Sequence, residues 1–162
     1  MKNPIPVCIS LLLLSLFVNG QTPVQPVNPE IGIDENLEEI IPGDIVLINH
    51  RGEMVSLAEV TDKPTVISFV YYRCPGICSP LMNGIAEVIE KSDMKIGKDY
   101  QVLTISFDSR EGTDLATNKH KNYLNLITKP GADSGWTFFT ADSATIKRFT
   151  HAAGFNFKPA GN

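Results

Sequence analysis

The chain has 162 residues, 14 basic and 18 acidic side chains, a net charge of −4 and 43% hydrophobic residues. No basic stripe stands out against this acidic balance, so nucleic-acid binding driven by counterion release is excluded as the main function. A chain of this size suits one domain that buries roughly two thirds of its unfolded surface.

Residues 1–20 read as a secretory signal peptide. Met1-Lys2-Asn3 gives a basic start, Val7 to Val18 an apolar stretch around Leu11–Leu14, and Val18-Asn19-Gly20 a small-residue cleavage region. The apolar stretch falls short of the ~20 residues that a spanning helix needs, so an uncleaved anchor is the weaker reading. Cys8 lies inside this stretch and would be lost on processing. Cys74 and Cys78 would then be the cysteines of the mature chain, in an oxidising compartment.

Residues 21–42 hold four prolines and several acidic side chains, and they read as an extended linker. Gly43 opens the domain. Asp44–Asn49 and Met54–Leu57 flank His50-Arg51-Gly52-Glu53 and predict a β-hairpin with His50 at its tip as a solvated loop histidine. Thr65–Tyr71 is an apolar, β-branched and aromatic run that predicts a buried strand. It leads into Arg73-Cys74-Pro75-Gly76-Ile77-Cys78-Ser79-Pro80, where Ser79 suits an N-cap and Pro80 the first helical position.

The two cysteines therefore lie between a strand end and a helix start, where free N–H groups, the helix dipole and Arg73 favour thiolate over thiol. Three intervening residues let both sulfurs face one point. That arrangement suits a reversible disulfide or two soft ligands for one ion, with copper(I) the natural candidate. A static disulfide or two inert core thiols is the structural alternative.

In the following helix Leu81, Ile85, Val88 and Ile89 form an apolar stripe, with Met82 as core filler or a soft neighbour of a metal. Tyr100–Phe107 predicts a second strand, which Arg110-Glu111-Gly112 breaks. Thr113 as N-cap predicts a helix from Asp114 to about Ile127, buried through Ala116, Tyr123, Leu124 and Ile127, with His120 exposed on a basic face between Lys119 and Lys121. Trp136–Thr140 is a third strand. Asp142 caps a last helix over 143–153 that carries His151, and Gly154 suits the left-handed position after it. The alternation of strands and helices predicts an α/β domain around a central, mainly parallel sheet with an N-terminal hairpin.

The segment Phe69–Pro80 resembles the cysteine loop of the Sco (SenC) family of copper chaperones for cytochrome c oxidase, whose signature is Cys-Pro-x-x-Cys after the first core strand. Val102–Asp108 is similar to that family's strand ending in an aspartate, although Ser109 stands where the family usually has proline. Trp136–Thr140 is comparable to its Trp-x-x-Leu-Thr segment. The resemblance runs from about Gly43 to Asn162.

It implies a thioredoxin-like fold over 43–162, with copper bound by Cys74 and Cys78 and delivered to the binuclear copper site of cytochrome c oxidase. The implied partners are the copper-bearing subunit of the oxidase and thiol-disulfide reductases. The implied location is exported and periplasmic, or membrane-associated facing the periplasm. A thiol-disulfide oxidoreductase, with Cys74 attacking and Cys78 resolving, is the competing reading. A peroxiredoxin-like peroxidase ranks below both, because it expects Thr three residues before the reactive cysteine and position 71 is Tyr.

Asp108 is expected near the cysteine loop. The family's third ligand is a histidine after the last helix, and Phe155–Asn162 resembles the segment just before it. A C-terminally incomplete domain lacking the final hairpin and helix is therefore expected, with the Trp136 strand left as an exposed edge.

Overall fold

The structure is a computed structural model that describes residues 31–158. The expected signal peptide, Cys8 and the first part of the expected linker lie outside the described residues. Among the described residues no helix is long and apolar enough to cross a membrane.

Strands β1 (Gly32–Ile33), β2 (Val46–Asn49), β3 (Met54–Ser56), β4 (Thr65–Val70), β5 (Gln101–Ser106), β6 (Trp136–Thr140) and β7 (Phe155–Asn156) alternate with helices α1 (Cys78–Lys91), α2 (Thr113–Leu124), the short α3 (Ala132–Gly135) and α4 (Ser143–Ala152). Five strands form one sheet in the order β3-β2-β6-β5-β4. The expected mainly parallel sheet is evenly mixed: β4, β5 and β6 run parallel, while β2 is antiparallel to both β3 and β6. The Trp136 strand is not an edge. It lies between β5 and β2 with Trp136, Phe138 and Phe139 fully buried, and the edges are β3 and β4.

The predicted hairpin forms because the Asn49 side chain builds its turn. Its Oδ1 accepts the N–H groups of Arg51 (2.9 Å) and Glu53 (3.0 Å), and its amide donates to Glu53 Oε2 (2.7 Å). Asp142 caps α4 as expected, accepting from the N–H groups of Ala144 and Thr145. Thr113 is the first residue of α2, after Gly112 as N-cap, and the helix ends at Leu124 with Ile127 still packed against the core.

Three other expectations are corrected. Helix α1 begins at Cys78, not after Ser79. Ile77 occupies the cap position in helical conformation, and Pro80 sits within the first turn, where its missing N–H is still harmless. The buried face of α1 is accordingly Cys78, Met82, Ala86 and Ile89, while Leu81 and Val88 are exposed. Met82 is therefore core. Residues 31–42 do not form a free linker, because β1 pairs antiparallel with β7 and Asp34 N–H donates to Gly154 O (2.8 Å). Gly154 has φ +69°, and a Cβ there would lie 1.8 Å from Asp34 O, so both its conformation and this docking require glycine.

Two apolar layers sandwich the sheet. One contains Val70, Tyr72, Met82, Ile89, Trp136 and Phe138, the other Ile45, Leu47, Leu103, Ile105, Phe139 and Phe149. A buried hydroxyl relay crosses the sheet, in which Trp136 Nε1–H donates to Thr104 Oγ1 (2.8 Å) and Thr104 shares a hydrogen bond with Ser68 Oγ (2.9 Å).

Candidate functional site

The carboxyl ends of β4 and β5 open into a cleft of about 570 Å³ lined by Tyr71, Cys74, Phe107, Asp108, Lys147 and Phe157 among others. Such strand ends are where open α/β sheets place ligands. Tyr72 anchors the chain as it leaves β4. Its ring is fully buried, and its hydroxyl lies 2.7 Å from Phe139 O and 3.0 Å from Thr104 O. Glu111 holds the next two residues: its carboxylate accepts from Tyr72 N–H (2.7 Å) and Arg73 N–H (2.8 Å).

From this anchored start the loop turns through Cys74, whose N–H faces Tyr71 O at 3.4 Å, and enters α1 at Cys78. Both cysteines are free thiols, Cys74 half-buried and facing the cleft, Cys78 buried behind it. The backbone N–H groups of Cys78 and Gly76, then the Cys78 thiol, hold the Cys74 thiol below its ordinary pKa. Burial pushes the Cys78 thiol up, followed by the neighbouring Cys74 and the Glu111 charge, while the Tyr71 N–H, 3.4 Å from Cys78 Sγ, opposes the shift. The pair is thus asymmetric, with one accessible sulfur prone to ionise and one shielded sulfur that keeps its proton.

Asp108 lines the same cleft, as its strand-end position suggested. Its carboxylate also caps the turn. It accepts Arg110 N–H (3.0 Å) and pairs side-on with the Arg110 guanidinium at 2.8 Å through both oxygens, which holds its pKa below the usual carboxylate value. Among the described residues no group of three or more His, Cys, Asp or Glu side chains is arranged to hold a metal ion. The cysteine pair supplies two thiol donors, suited to a soft monovalent ion or to thiol exchange.

The histidines lie elsewhere. His151 lines a surface depression with Asp34, Asn36 and Glu39. His50 and His120, read as solvent-facing, are buried and stacked on one another with ring centroids 3.7 Å apart. Thr117 Oγ1 of α2 donates to His50 O (2.5 Å) and ties the hairpin tip to the helix, while the His120 ring meets Phe138 edge-on. Sequence reasoning also missed Glu111, which reads as a turn residue beside Arg110. Its burial beside Ser106 depends on contacts that no local pattern encodes.

The fold and the paired cysteines at a strand-to-helix junction define a thioredoxin-like domain. The chain belongs to the family described as SCO1/SenC, which it matches over residues 34–143. Of the similar chains, a SCO2-like protein of Rickettsia felis is 27% identical over 123 residues, covering 74% of this chain and 59% of the relative. This chain thus spans about three fifths of that relative's length. A crystal structure from Aquifex aeolicus shares 28% identity at a TM-score of 0.64, covering 76% of this chain and 70% of that one. The copper-bound ScoI structure of Bradyrhizobium japonicum shares 27% identity at a TM-score of 0.52, covering 70% of this chain and 67% of that one.

Proposed function

We propose that the protein is an exported copper chaperone that holds Cu(I) between Cys74 and Cys78 and passes it to the copper-bearing subunit of cytochrome c oxidase. The observation that carries this reading is the asymmetric thiol pair at the mouth of an open cleft. Membership of the SCO1/SenC family and the likeness to a relative crystallised with copper support it. The ion is cargo. Cys74, already inclined to ionise, meets the arriving ion first, and Cys78 supplies the second sulfur once its proton is displaced. Transfer reverses the order: an acceptor thiolate or imidazole enters from the cleft as the accessible Cys74 sulfur leaves.

The test is anaerobic reconstitution of the reduced protein with Cu(I) under competition from a chromogenic chelator. Wild type should retain one equivalent and Cys74→Ser/Cys78→Ser none. Equal retention by the two proteins would refute the assignment.

The same asymmetry favours a second reading, thiol-disulfide reduction. The Cys74 thiolate attacks one sulfur of a substrate disulfide, that S–S bond breaks, and the other substrate sulfur departs as a thiolate. Cys78 then loses its proton and attacks Cys74 Sγ, the Cys74–substrate S–S bond breaks and the first substrate sulfur leaves as a second thiolate, so the two-electron reduction of substrate equals the oxidation of the dithiol. A reductase partner would restore the thiols. Rapid insulin reduction in the absence of copper would favour this reading over the first.

A further inference from the structure

Glu111 is a buried carboxylate, 3% exposed, and its hydrogen-bond partners are unusual for a charged group. Oε2 accepts from Tyr72 N–H (2.7 Å) and Ser106 Oγ–H (2.6 Å), and Oε1 accepts from Arg73 N–H (2.8 Å). Three donors and no bridging cation among them satisfy a carboxylate whose burial would otherwise be strongly unfavourable. It also precedes Gly112, the N-cap of α2, where the positive end of the helix dipole favours an anion. Ser106 ends β5, and Tyr72-Arg73 follow β4, so this one side chain ties the two strand ends together through the two residues that lead into Cys74, in the lining of the same cleft. An apolar residue would fill the space without desolvation cost but would leave two loop N–H groups without this acceptor.

We propose that Glu111 is the positioning residue of the cysteine loop: by gripping the backbone N–H groups of Tyr72 and Arg73 it fixes the segment from which Cys74 projects, and so sets the spacing of the two sulfurs. This inference rests on Cys74 and Cys78 being the reactive pair. Preorganised sulfurs bind one ion, or one another, without first ordering the loop. Loosening the grip should therefore weaken Cu(I) binding and also make the disulfide form less stable relative to the dithiol.

Glu111→Gln tests this, because the amide keeps the volume but presents an NH₂ group to at least one of the three donors. Two quantities are measured: Cu(I) affinity by chelator competition, and the dithiol/disulfide equilibrium of the Cys74–Cys78 couple in a glutathione buffer. In the variant the Cu(I) Kd should rise and the equilibrium constant for disulfide formation should fall, each roughly tenfold, the scale of one hydrogen bond to a charged group. A residue with only a structural role would lower the unfolding midpoint and leave both quantities at wild-type values, and that result in a folded variant overturns the proposal.

If Glu111→Gln does not fold, Ser106→Ala removes one of the three donors. It should move both quantities the same way, by up to roughly tenfold on the same scale; no movement overturns the proposal equally. Absence of Cu(I) binding by wild type would defeat the chaperone reading alone, and the disulfide equilibrium would then decide the role of Glu111.

Discussion

Acidification should destabilise this protein through the stacked histidines His50 and His120. Both are buried, 7% and 6% exposed, and His50 Nδ1 and His120 Nε2 have no hydrogen-bond partner within the protein. Burial first, then the facing His120 and Arg51, holds His50 at about 4, with Asp133 and Glu53 opposing. Burial likewise lowers His120, opposed by the backbone and carboxylate of Asp133. Both folded values lie below the ~6.5 of an unfolded chain, so between these limits the unfolded state binds protons that the native state refuses. The contribution is complete above pH ~6.5 and is lost as pH falls toward 4.

From pH 7.5 to 5.0 the His50 shift alone corresponds to about 2 kcal/mol, and solvent screening at the hairpin tip reduces this to about 1–2 kcal/mol. With a urea m-value near ~2 kcal/mol/M, the midpoint should fall by about 0.5–1 M. Urea unfolding of wild type and of His50→Asn/His120→Leu at the two pH values measures it. A wild-type midpoint independent of pH would refute the reasoning, as would an equal drop in the double variant.

Tyr72→Phe removes the hydroxyl that reaches Phe139 O and Thr104 O inside the core, and should cost about 1–2 kcal/mol in urea unfolding. A cost near zero would mean that the loop is anchored by other contacts. Asp108→Asn keeps an oxygen for Arg110 N–H and loses the charge pair, most of whose guanidinium side is exposed, so the unfolding midpoint should not move measurably. A clear drop would show that the carboxylate supports the loop beyond its own turn.

Much of the framework was legible because it is locally encoded. Thr65–Val70 and Trp136–Thr140 are apolar runs bounded by turn residues, the hairpin follows from Asn49 and Gly52, and Asp142 announces α4 through a side chain acting on the next two N–H groups. The cysteine loop was legible as a motif, and its strand-to-helix placement holds. Its detail was not: the helix begins two residues earlier than the Ser79-Pro80 pair suggests, because Cys78 turns inward with Met82 and Ala86.

The misread residues share one cause. His50 and His120 lie 70 positions apart, and each looks solvated in its own sequence neighbourhood, with Lys119 and Lys121 flanking one and a polar turn holding the other. The docking of residues 31–42 depends on pairing Gly32 with Asn156. A polar residue is buried when a distant element supplies its cover, and hydropathy patterns carry no information about that element.

The same principle explains how the site acquires direction. A lone Cys-x3-Cys loop offers two chemically equal thiols; inequality arises only when the sheet and α1 enclose one of them. Cys78 faces the core because α1 needs that face to cover β4 and β5, and Cys74 remains outside because Tyr72, two residues before it and just past the end of β4, is held by Phe139 and Glu111. Tyr71 packs on Phe107 at 4.3 Å and Phe107 on Phe157 at 5.0 Å, so an aromatic wall borders the open sulfur. On the function proposed above, this wall limits hydration of a bound ion while leaving one face open for an incoming ligand. Packing that stabilises the domain therefore also ranks the two sulfurs.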